Sequence, residues 1–152
     1  MTTGQPLSAQ RVQINPYLIY EFRHGQIHYF VFASQKDLQP LSEAVLRKIV
    51  DDYADFSEKL MREHDREQPF LAFLDLADRK STSTQYVMQQ MRKVYRRVPP
   101  PPKMRVVYTH SNRLMLSLTK SLLNGVKIGM VQRRFYQRDE YEDAVDWLLE
   151  PF

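Results

Sequence analysis

Hydrophobic positions change period several times along this chain. Tyr17-Leu-Ile-Tyr-Glu-Phe22, rich in aromatic and branched residues, reads as a strand. Arg23-His-Gly-Gln26 then supplies turn residues, and Ile27 to Ala33 is apolar on both parities. This predicts a β-hairpin whose second strand lies inside a sheet covered on both faces. From Leu41 to about Glu63 the period lengthens: Leu41, Val45, Ile49, Tyr53, Phe56 and Leu60 recur at helical spacing, with Ser42 and Glu43 suited to the first turn. Pro69 to Leu76 is a continuous apolar run with the length of a buried strand.

Beyond it the alternation repeats. Val87, Met91, Val94 and Val98 define a second helix, which Pro99 to Pro102 must end because proline lacks the amide proton that a helix needs. Met104 to Thr109 reads as a strand. Ser111-Asn112 can cap a helix carrying Leu114, Met115, Leu118 and Leu122 inward, and Asn124-Gly125 suits its left-handed end. A fifth strand is expected over about Lys127 to Phe135. A last helix is expected from Asp139, with Asp139 and Glu142 as its capping box and Tyr141, Ala144, Val145 and Leu148 inward.

Strand, strand, helix and three strand-helix units predict an α/β domain: an initial hairpin joined to a five-stranded mixed sheet with helices on both faces. Residues 1–14 read as a polar tail and 15–152 as one domain, in keeping with 152 residues in all. Trp147 should be central to the packing of the last helix.

Several of these pieces carry a resemblance. Phe70-Leu-Ala-Phe-Leu-Asp-Leu76 looks like the central strand of the STAS-like family, and Phe135, Asp139 to Ala144 and Trp147-Leu148 look like its last strand and closing helix. The family comprises anti-sigma-factor antagonists and cytosolic domains of sulphate transporters. The resemblance is closest to its stand-alone bacterial branch, sometimes compared with lipid-transfer domains. It implies a single noncatalytic α/β domain that docks onto a protein partner, a regulator or a kinase-like protein. It also implies a phosphorylated Ser in the loop after the central strand; counting from Asp75 places Ser83 and Thr84 there. The chain departs from the family pattern at that point, with Ser83 for an Asp and Gln85-Tyr86 for a small Gly-Leu pair.

Composition narrows the chemistry. The hydrophobic share of 43% and charged share of 26% fit a globular domain with a real core. No apolar run approaches a membrane span and the polar start lacks the order of a signal peptide, so a cytoplasmic location is expected. Without cysteine there is no thiol nucleophile or thiolate metal site. His24, His28, His64 and His110 lack the spacing of a metal or catalytic set, and Gly-rich phosphate loops and hydrolase motifs are missing. No cofactor, metal or catalytic residue is therefore expected. Asp75, Thr109 and Lys127 suggest a receiver domain, but the turn at Arg23 to Gln26 lacks the acidic pair that would hold Mg²⁺.

Charge is unevenly spread. The formal net charge is +4, yet all 14 Lys and Arg after Asp75 fall between Arg79 and Arg138, with no acid among them. On the second helix Arg92, Lys93, Arg96 and Arg97 lie opposite Met91 and the three valines, and the basic face continues to Lys103 and Arg105. Adjacent Arg133 and Arg134 must point to opposite sheet faces. Such a face could attract an anionic lipid or nucleotide; alternatively the acidic first helix compensates it. No motif for reading a nucleic-acid sequence accompanies it.

Ser81, Thr82, Ser83 and Thr84 sit where a strand hands over to a helix. A hydroxyl there suits an N-cap, and a phosphate there would add about −1.5 to −2 charge at the positive end of a helix dipole. Two functions follow: a regulatory interaction module with the 81–84 loop as its recognition surface, or a carrier or peripheral binding protein for an anionic ligand that uses the basic face and an apolar pocket beneath the helices.

Overall fold

The structure, a computed structural model, describes residues 11–33, 41–77, 84–124 and 131–152, with the backbone alone for Thr84 and 122–124. The described strands are β1 (Val12–Asn15), β2 (Leu18–Arg23), β3 (Ile27–Phe32), β4 (Phe70–Asp75), β5 (Met104–His110) and β6 (Gln132–Gln137). The helices are α1 (Glu43–Glu63), α2 (Thr84–Arg97), α3 (Arg113–Asn124) and α4 (Tyr141–Leu149). The six strands form one sheet in the order β1-β2-β3-β4-β5-β6, antiparallel through β3 and parallel from β3 to β6.

Register divides the core in two. His28, Ala72, Val106 and Arg133 form one row across the sheet, and Tyr29, Phe73, Val107 and Arg134 the next. Because side chains alternate, the two rows face opposite sides. The first side packs Phe30, Phe32, Ala72, Leu74 and Val106 against Ile49, Tyr53, Phe56 and Leu60 of α1 and Met91 and Val94 of α2. The second packs Ile27, Tyr29, Leu71, Phe73 and Val107 against Ala144, Val145, Trp147 and Leu148 of α4. β3 and β4 are thus buried on both faces, which explains their unbroken apolar runs.

Local chemistry sets the element ends. Ser42 Oγ accepts the Val45 amide at the start of α1, and Asn112 Oδ1 accepts the Leu114 and Met115 amides at the start of α3. The β2–β3 turn is left-handed at His24 and Gly25 (φ 56° and 67°). Glycine meets that need without the steric cost of a Cβ.

Four expectations are corrected. The sheet has six strands rather than five, because residues 12–14 of the supposed tail, with Asn15, pair with β2 through a register shift at Gln13/Asn15. Four residues before Pro16 are too few for alternation to stand out; Asn15 fixes them by accepting the Tyr17 amide and donating to Asp52 of α1. β6 lies at 132–137, later than expected. The chain leaves it through a 3₁₀ turn at Arg138–Glu140, where Glu140 Oε1 accepts the Gln137 amide, so the cap falls two residues before the expected Asp139 and Glu142. Finally, α3 buries Leu116 and Thr119, while Leu114 and Leu118 are exposed.

Candidate functional site

The parallel strands end on a common rim, and β4 ends there in Asp75. This carboxylate is almost fully buried and has three partners. Its Oδ1 accepts the Ala77 amide at 2.9 Å and the Thr109 hydroxyl at 3.4 Å, and its Oδ2 meets Arg138 Nε at 3.1 Å. Ala77 is left-handed (φ 53°) and buried, a conformation that disfavours a side chain and is held here by its neighbours. Leu76 N–H donates to Thr109 and Ser111 N–H to the Ala77 carbonyl, so the β4–β5 ladder continues past both strands. The next strand repeats the device: His110 Nδ1 accepts the Asn112 amide at 2.8 Å, two residues on, just as Asp75 accepts that of Ala77.

Ser81, Thr82 and Ser83 lie outside the described residues, as do Arg79, Lys80 and Lys127; Thr84 is the first residue of α2. What is described is the base from which the 78–83 segment departs. Asp75 closes its own turn through the Ala77 amide, and its described ion partner is Arg138, 63 positions away, which sequence spacing could not indicate.

The expected basic face does not stay together. Arg97 turns to α1, where Glu58 accepts it at 2.6 Å and also pairs with Arg62. The Arg97 hydrogen bond first, then that of Arg62, holds the Glu58 carboxyl below its usual range. Arg105 is buried on the α4 side. Its guanidinium donates to the carbonyls of Trp147, Glu150 and Pro151, lies 3.9 Å from the Phe152 ring centre, and so closes the C-terminal end of α4. Both are corrections, with a shared cause: a long cation near a helix end finds carboxylates or orphan carbonyls in its own fold. Arg92, Lys93, Arg96 and Lys103 remain exposed, with no ion pair among the described residues. Arg133 and Arg134 do diverge. Arg133 lines the α1–α2 side beside Tyr95 and Tyr108, and Arg134 lies over Trp147 at 4.8 Å.

Beneath α2 the apolar space is about 30 Å³, lined by Tyr53, Met91, Tyr108 and their neighbours. That is room for about one water, against roughly 300 Å³ or more for a small organic ligand. A larger opening, about 320 Å³, lies at the opposite rim of the sheet around His28, Glu63 and His64. The sequence held no sign of it, since its residues come from a hairpin turn and a helix end far apart in the chain. Among the described residues no three His, Asp or Glu are placed to hold a metal ion, and no helix is long and apolar enough to cross a membrane.

Compared with known proteins, the chain matches no family model, no curated protein and no solved structure.

Proposed function

We propose that this chain is a noncatalytic, STAS-like regulatory interaction module that docks onto a protein partner through the rim carrying residues 75–84, with Ser81, Thr82, Ser83 and Thr84 as the segment whose modification switches docking. The observation that carries the reading is the Asp75 turn. A buried carboxylate, a left-handed Ala77 and a continued β4–β5 ladder fix the start of a hydroxyl-rich segment, and α2 begins at its end. A recognition segment held at both ends loses less conformational entropy on docking than a free one. The strand order supports the same reading. In open parallel sheets small ligands favour the crevice where strand order reverses, and from β3 to β6 the order never reverses.

The test is purification of the tagged protein from its native cells under phosphatase inhibition, followed by mass spectrometry of partners and of the peptide spanning 78–92. A stoichiometric protein partner, lost when Ser81 to Thr84 are all replaced by Glu and kept when all are replaced by Ala, is the expected result. No partner, or binding indifferent to both replacements, overturns it.

A second reading rests on the four exposed cations Arg92, Lys93, Arg96 and Lys103: peripheral attachment to an anionic lipid surface. Flotation with vesicles containing phosphatidylserine separates the two. Binding that weakens with salt and with charge reversal at Arg92 and Arg96 supports attachment, and its absence at low salt removes it.

A further inference from the structure

At the rim opposite Asp75, the β2–β3 turn and the end of α1 enclose the 320 Å³ cleft. Its interior is set by His28, a β3 side chain only 4% exposed. The Tyr20 hydroxyl lies 2.8 Å from His28 Nδ1, and Phe70 stacks on the imidazole at 4.5 Å between ring centres. Its other nitrogen, Nε2, has no hydrogen-bond partner among the described residues, and the residue lines the cleft. A ring nitrogen without a protein partner beside a cleft can bond to what enters it. The Tyr20–Nδ1 hydrogen bond can run either way; with the phenol donating, the neutral ring carries its proton on Nε2, which then acts as a donor.

The mouth of the cleft is acidic. Glu63 and Asp65 line it together with His64. The neighbouring cations are engaged elsewhere: Arg62 with Glu58, and Arg66 with the carbonyls of Pro99 and Pro100. Asp65 Oδ1 accepts the Glu67 amide, and Glu63 forms no ion pair among the described residues. His64 Nε2 lies 2.7 Å from the Gln68 carbonyl, a bond that makes it a donor there and fixes the ring. Phe22 and Leu60 supply apolar walls.

We propose that this cleft binds a small organic cation, a primary ammonium group with a hydrogen-bond acceptor a bond or two away, with Glu63 and Asp65 receiving the ammonium and His28 Nε2–H donating to the acceptor. Burial, and then the neighbouring His64, push His28 down to about 3, so the ring stays neutral near pH 7 and does not repel a cation. An anion of the same size would meet two carboxylates. The volume lies at the lower end of the range for small-molecule sites.

The test uses the full chain labelled with ¹⁵N-histidine, its imidazole nitrogens followed by NMR at constant ionic strength and pH 7. The probes are ethanolamine and glycinamide, which carry both groups, methylammonium, which lacks the acceptor, and acetate and inorganic phosphate. Ethanolamine or glycinamide should shift His28 Nε2 saturably, and more tightly than methylammonium. Glu63→Gln, at an exposed helix end where folding is not at stake, should weaken that binding about tenfold. No shift with either bifunctional amine up to tens of millimolar overturns the proposal, as does saturable binding of phosphate or acetate instead, or unchanged amine affinity in Glu63→Gln.

Discussion

His28 shows how one buried side chain gives the whole fold a pH dependence. The unfolded chain binds a proton at His28 near its ordinary value of 6.5, whereas the folded chain refuses it until about 3. Its contribution to stability is therefore full above about pH 6.5 and is lost as pH falls, by about 1.4 kcal/mol per unit. Unfolding free energies from urea titrations at pH 7.5 and 5.5 should differ by about 1.4 kcal/mol, and His28→Gln should flatten the difference. The lowered carboxyls of Glu21 and Glu58 act in the same direction, but only as pH falls below their ordinary 4.5, outside this interval. Asp75 gives a second residue-scale prediction. Asp75→Ala leaves the buried Ala77 amide without its acceptor and should cost about 1–3 kcal/mol in chemical denaturation. Asp75→Asn keeps an oxygen toward Ala77 and gives up the charge facing Arg138, whose side chain is 51% exposed, so its cost should stay below about 1 kcal/mol. Equal losses in the two variants would mean that the ion pair, not the turn, holds the rim together.

Among the elements, α4 depends most on a distant residue. Trp147 packs against the sheet face made by Ile27, Leu71 and Val107, while Arg105 of β5 ties down the carbonyls that end the helix. Trp147→Ala should cost about 3–5 kcal/mol through the cavity it leaves. Arg105→Met keeps much of the stem but orphans the carbonyls, and a loss of about 1–3 kcal/mol is expected in urea; a midpoint equal to wild type would remove the capping role. This element also marks the limit of what its sequence conveys. The apolar face of α4 was legible because Ala144, Val145 and Leu148 repeat at helical spacing, as were α1, α2 and the runs of β3 and β4. The role of Arg105 was not: in a row of basic residues nothing distinguishes the one whose register turns it under α4 from Lys103, which stays in water. β1 escaped notice because its evidence is its pairing with β2, not its four residues. The inward face of α3 escaped because Leu114 and Leu118 matched a helical stripe, yet both lie exposed. Of the described site, Asp75 and Thr109 could be grouped from their places at strand ends, but Arg138 joins them only through the turn after β6, and His28 and Glu63 meet only through the closure of α1 onto the hairpin.

For the molecule as a whole, the sheet is covered unequally. One face carries α1 and α2, whereas among the described residues the other is packed by α4 and the ring of Tyr141 that leads into it. The two ends of the chain should therefore differ in how far stability depends on them. Removing 138–152 uncovers Ile27, Tyr29, Leu71, Phe73 and Val107 together, a loss comparable with the whole of the about 5–15 kcal/mol that holds a typical domain folded. That truncation should lose its cooperative urea transition and its near-ultraviolet circular dichroism. Removing 1–16 takes away β1, a four-residue edge strand, and leaves β2 as the new edge. It should keep a cooperative transition with a lowered midpoint. Its cost should appear instead as concentration-dependent association in gel filtration, because the unpaired amides and carbonyls of β2 become a template for another chain. A cooperative transition surviving the C-terminal truncation would mean that the α4 face is dispensable, and the division of the core into two faces that both must be covered would fail with it.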